Sequence, residues 1–97
     1  MKILVATAGP IGAKEKADYI VNIAKRLKAE LIALHVLKDE NQAAKGEEAL
    51  NLFSRAGQKA QIKVKKILIK ADIVSGIIKS AEKESADLII MGASQDK

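Results

Sequence analysis

The chain has 97 residues, 48% hydrophobic and 30% charged, with a formal net charge of +5. That length supports one hydrophobic core, so a single domain over residues 1–97 is expected. Cysteine is absent and the only aromatic residues are one tyrosine and one phenylalanine, which excludes disulfides, thiolate metal sites and cysteine nucleophiles and leaves Ile, Leu, Val and Ala to fill the interior.

The opening "MKILVATAGP" has an apolar run too short for a signal-peptide core. No segment approaches the roughly 18 apolar residues of a membrane span, so a cytoplasmic protein without a membrane partner is expected. Ile3 to Ala6 reads as a strand buried on both faces, followed by the glycine-rich turn "TAGPIG". From Lys14 to Ala29 the residues Ala17, Ile20, Val21, Ala24 and Leu27 recur at steps of three and four, the period of an amphipathic helix. Leu31 to Leu37 is a second unbroken strand. A second helical face follows in Ala49, Leu50, Phe53 and Ala56, with Gly57 expected to end that helix.

Ile62 to Ile69 predicts a third strand, and its Lys63, Lys65 and Lys66 suit an edge position, where lysine discourages foreign pairing. Asp72 sits where an N-cap belongs, ahead of a third helix with Ile73, Val74, Ile77, Ile78 and Ala81 on its apolar face. "DLIIMGA" is the fourth strand. The order β-α-β-α-β-α-β with short connections argues for an α/β, three-layer sandwich on a parallel sheet with helices on both faces. Such sheets bind ligands outside the carboxyl ends of their strands. Strands 1 and 4 both end in glycine-containing turns, which makes those ends the candidate site.

Three blocks, "MKILVATAG", "AELIALHVL" and "ADIVSGIIKSAEKESADLIIMGAS", resemble those of the universal stress protein family in content and spacing. The resemblance covers essentially the whole chain. It implies an adenine-nucleotide-binding fold (adenine-nucleotide alpha-hydrolase-like) with strand order 3-2-1-4-5, here 3-2-1-4, and a stress-response or regulatory role. ATP-binding members carry G-x-x-G, nine residues, then G-Ser/Thr after strand 4. Gly92 matches the first glycine, Gln95 stands at the second, and the sequence ends before the third. The usual aspartate after strand 1 is replaced by Ala8.

By that resemblance Thr7, Ala8 and Gly9 after strand 1, Val36 at the end of strand 2, and Met91, Gly92 and Ser94 after strand 4 line a nucleotide pocket. An apolar slot with a few backbone groups suffices for an adenine ring. Phosphate contacts are the weak point, since the glycines that let backbone N–H groups approach phosphate are mostly missing. Weak binding of ATP or AMP is expected, with a dissociation constant on the order of 0.1 mM or worse, about 5.5 kcal/mol or less. Absence of any nucleotide is equally compatible with these residues. The family's fifth strand also lies beyond Lys97, which leaves strand 4 ("DLII") as an apolar edge. A homodimer through that edge, or a chain that is a fragment of a longer protein, would cover it.

Other features have plainer readings. "AGPIGAKEK" lacks the Gly-Lys-Ser/Thr ending of a P-loop and reads as a tight turn needing Gly9, Pro10 and Gly12. His35 lies in an apolar strand without a second ligand or a paired nucleophile, so a packed histidine is expected and a metal site is not. The cations from Arg55 to Lys70 lack interleaved aromatics, so a solvated edge is expected and nucleic acid is not. No nucleophile, base and oxyanion donor can be assembled, so no enzyme is expected. Two functions remain: a small nucleotide-binding regulatory module, or a nucleotide-free interaction domain that uses the fold for pairing.

Overall fold

The computed structural model describes residues 1–91. Its elements are β1 (Lys2–Ala6), α1 (Pro10–Leu27), β2 (Glu30–Leu37), a 3-10 turn (Glu40–Gln42), α2 (Ala43–Ala60), β3 (Val64–Lys70), α3 (Ile73–Glu84) and β4 (Leu88–Met91). All strand pairs are parallel, in the order β3-β2-β1-β4. Val5 lies in register with Ala33 of β2 and Ile90 of β4. The alternation of side chains across the sheet divides the interior in two. Ile3, Val5, Leu31 and Ala33 pack under α1 and α2 with Phe53, Leu50 and Val21, while Leu4, Ala6, Ile32, Leu34 and Val36 pack under α3 with Ile77 and Ala81. Helices therefore cover both faces, two on one and one on the other, as the strand and helix pattern predicts.

Several boundaries differ from the sequence reading. Helix α1 starts four residues before Lys14: Pro10 occupies the first turn, where its missing N–H and fixed φ are tolerated. Pro10 and Gly12 are thus helical rather than parts of a tight turn, and of these three residues only Gly9 has a positive φ, 153°. Helix α2 does not end at Gly57. It runs to Ala60 and ends through Gln61 in the left-handed region, at φ 64°.

Gly57 is instead a point of close approach. A Cβ there would lie 2.5 Å from Val64 Cγ2 and 2.9 Å from the Ile62 carbonyl oxygen, so glycine lets α2 settle against the start of β3. That strand begins at Val64, two residues later than predicted. The stop signals of α1, α2 and α3 are Lys28, Gln61 and Ser85, all left-handed, where residue type gave no warning.

The cap on α3 is as predicted: the Asp72 carboxylate accepts from the Ser75 N–H at 3.2 Å. Its apolar face is narrower than the pattern implied. Ile77 and Ala81 are buried, but Ile73, Val74 and Ile78 are 44%, 63% and 49% exposed. The physical reason is that α3 covers its side of the sheet alone, so the flanks of its apolar stripe have no neighbouring helix among the described residues. The edge role of β3 agrees with its lysines. Both carboxylate oxygens of Glu84 accept from Lys65 Nζ at 3.0 Å, and Asn51 Oδ1 accepts from Lys66 at 3.0 Å.

Candidate functional site

The carboxyl ends of β1, β2 and β4 open into one cleft of about 410 Å³. Helices α1, α2 and α3 all begin at this end, since each follows a strand that runs toward it. Thr7, Ala8, Gly9, Val36 and Met91 line the cleft, so the structure brings together five of the residues singled out from the sequence. The other two, Gly92 and Ser94, lie outside the described residues, as does Gln95.

The floor is held by hydrogen bonds made by the segment after β1. The Gly9 N–H donates to Thr7 Oγ1 at 3.1 Å, and the Thr7 N–H donates to the Leu34 carbonyl at 2.9 Å. His35 Nδ1 lies 2.9 Å from the Thr7 carbonyl oxygen. A carbonyl can only accept, so Nδ1 carries the proton. Burial pushes the His35 imidazole below its ordinary pKa, partly opposed by this backbone hydrogen bond, which favours the protonated ring. The packed histidine expected from its apolar strand is therefore a buried, hydrogen-bonded wall of the cleft.

Helix α2 can lie over that ring because residue 46 is glycine. A Cβ there would sit 2.7 Å from His35 Cδ2. On the other side of the sheet, α3 approaches at Gly76, where a Cβ would meet the Val36 methyls at 3.0 and 3.2 Å. The two glycines fix how closely the walls of the cleft approach.

Sequence reasoning missed six lining residues that matter to its chemistry: Lys38, Gln42 and Lys45 from the β2–α2 connection and α2, Ile73 and Ile77 from α3, and His35 itself. The signal for the lysines was available only as position. Both follow a strand end, but "LKDENQAAKG" has no glycine pattern or spacing that marks an anion site. Among the described residues no carboxylate lines the cleft. The arrangement offers an apolar slot, backbone groups beside Thr7 to Gly9, and positive charge at one rim; among the described residues no group of three or more His, Cys, Asp or Glu could hold a metal ion.

Comparison with known proteins follows this geometry. The model of the universal stress protein family matches residues 1–97. Universal stress protein MJ0531 of Methanocaldococcus jannaschii is 29% identical over 94% of this chain and 63% of its own length, so the chain spans less than two thirds of that curated relative. The solved structure of hypothetical protein MJ0577 superposes with a TM-score of 0.69 at 31% identity, covering 98% of this chain and 76% of that one. An Arabidopsis thaliana family protein with AMP bound gives a TM-score of 0.76 at 16% identity, over 96% of this chain and 76% of that one. Two further universal stress proteins of the same fold, with TM-scores of 0.78 and 0.74, were solved with dAMP and with cAMP.

Proposed function

This chain belongs to the universal stress protein family, and from that membership we propose that its cleft is a weak adenine-nucleotide site in a small regulatory module. The observation that carries the reading is the convergence of Thr7, Ala8, Gly9, Val36 and Met91 on one cleft at the carboxyl ends of β1, β2 and β4. Relatives of the same fold hold AMP, dAMP and cAMP, which supports an adenine nucleotide as the ligand class. We propose a binding rather than a catalytic role, with the His35 ring hydrogen-bonded to the Thr7 carbonyl as part of the cleft wall. We place the module in the cytoplasm; separately, no described helix is long and apolar enough to cross a membrane.

Calorimetry with ATP and AMP tests the reading. Dissociation constants near 0.1 mM or weaker are expected, and Met91→Asp, which places a negative charge on the cleft wall, should weaken them further. Sub-micromolar ATP binding would contradict the expected loss of phosphate contacts. No binding at several millimolar would favour the second reading, a pairing domain without nucleotide.

That second reading rests on its own observation. At the β4 edge Leu88, Ile89 and Met91 are 41%, 41% and 62% exposed, and β4 pairs only with β1 among the described residues. A homodimer through this edge would bury apolar surface and satisfy the open side of the strand.

A further inference from the structure

The cleft has two chemically distinct halves, separated by the plane of the sheet. Ala6 and Val36 belong to the α3-side core with Ile77, and Met91 is in register with Ala6 on the neighbouring strand, so these side chains share one face. Together with Ile73 they make an apolar half. The other half lies toward α1 and α2. There the wall is His35 under Gly46, Gln42 ahead of α2, Lys45 in its first turn, and Lys38 in the connection from β2.

Among the described residues the charged side chains that line this second half are Lys38 and Lys45. Both lysines are exposed, and neither makes an ion pair or a side-chain hydrogen bond among the described residues. Asp39 and Glu40 follow Lys38 at the start of the 3-10 turn, where Asp39 accepts from the Asn41 N–H at 3.3 Å, and neither carboxylate lines the cleft or pairs with its lysines among the described residues. Neither α1 nor α2 has an acidic residue in its first turn or a side-chain cap, so their amino ends add positive potential at this end of the sheet.

On the reading that the cleft takes an adenine nucleotide, we propose that Lys38 and Lys45 form its phosphate subsite, with the base in the apolar half against Val36 and Met91. The phosphate then lies across the end of the sheet, on the α2 side. This is a different place from the segment after β4, to which the family's glycine motif belongs. The preferred ligand is an adenine nucleotide carrying at least one phosphate, and the nucleoside alone binds less tightly.

The test is calorimetry of the full chain with adenosine and AMP, at low and raised salt, for wild type, Lys38→Gln, Lys45→Gln and the double variant. Exposed charge pairs contribute modestly, so a loss of about threefold in AMP affinity per lysine and about tenfold for the pair is expected, with adenosine unchanged. The wild-type preference for AMP should shrink as salt screens the lysines. Urea melts of the variants check that the exposed substitutions leave folding intact. A double variant that keeps the wild-type preference, or a wild type that binds adenosine as well as AMP, overturns the subsite while leaving the nucleotide reading standing. Failure of wild type to bind either compound at several millimolar overturns both.

Discussion

Replacing Gly46 with alanine should destabilise this protein even though alanine is the better helix former. In an open helix interior the change stabilises by about 0.8–1 kcal/mol. Here the new Cβ would stand 2.7 Å from His35 Cδ2 and 2.9 Å from Leu68 Cδ1, against about 3.5–4.0 Å for a relaxed carbon contact. Leu68 ends in a rotatable methyl on the edge strand and can yield. The His35 ring is held by its hydrogen bond to the Thr7 carbonyl, so either that bond or the position of α2 must give. Overpacking of this kind costs about 1–3 kcal/mol, leaving a net loss of about 1 kcal/mol after the propensity gain, or roughly 5 °C in Tm for a chain of this size. Gly12→Ala is the internal control, because nothing lies within 4 Å of its added Cβ. It should raise Tm by a few degrees. Thermal unfolding by circular dichroism measures both, and His35→Ala should largely rescue Gly46→Ala in a double-mutant cycle. Equal stability of the two glycine variants would refute the claim that the ring is pinned.

His35 also makes stability pH-dependent. Its folded pKa is lowered from 6.5, so above that value the ring is neutral in both states, while below it the unfolded chain takes up the proton first and stability falls with falling pH until the folded ring titrates as well. Urea midpoints at pH 7 and 5.5 should therefore drop more for wild type than for His35→Asn, which keeps a donor for the Thr7 carbonyl without titrating; parallel drops would contradict the assignment. At the β4 edge, Ile89→Lys should shift sedimentation toward monomer from a wild-type dimer at micromolar concentration, and a monomeric wild type would reject pairing through that edge.

Much of the architecture could be read from periodicity, because a buried parallel strand and an amphipathic helix write different patterns. Leu31 to Leu37 and the stripe from Ala17 to Ala24 needed no tertiary information. What escaped the pattern were features fixed by contact. Gly57 looks like a helix stop, yet the structure uses it for the approach of α2 to Val64 and the Ile62 carbonyl. Ile73, Val74 and Ile78 look like core, yet a helix that covers its sheet face alone cannot bury both flanks of its stripe. In the cleft, residues on strand ends were accessible to the sequence reading because strand ends converge wherever a parallel sheet forms. Lys38 and Lys45 were not, since their meaning depends on which helices begin at the same end of the sheet and on which side chains that brings to one cleft.

The two sheet edges differ in a way that ties the proposed functions together. On β3, Lys65 and Lys66 are exposed, and their ammonium groups are held by Glu84 and Asn51, which keeps foreign strands off that side. On β4 the edge residues are apolar, which makes it the edge at which the proposed pairing would form. Met91 ends that strand and is also a wall of the cleft. A partner strand laid along β4 would meet the same side chain that a nucleotide in the proposed site would meet. Were both proposals to hold, any effect of the nucleotide on pairing through Met91 would be matched by an equal effect of pairing on nucleotide affinity, as linkage requires.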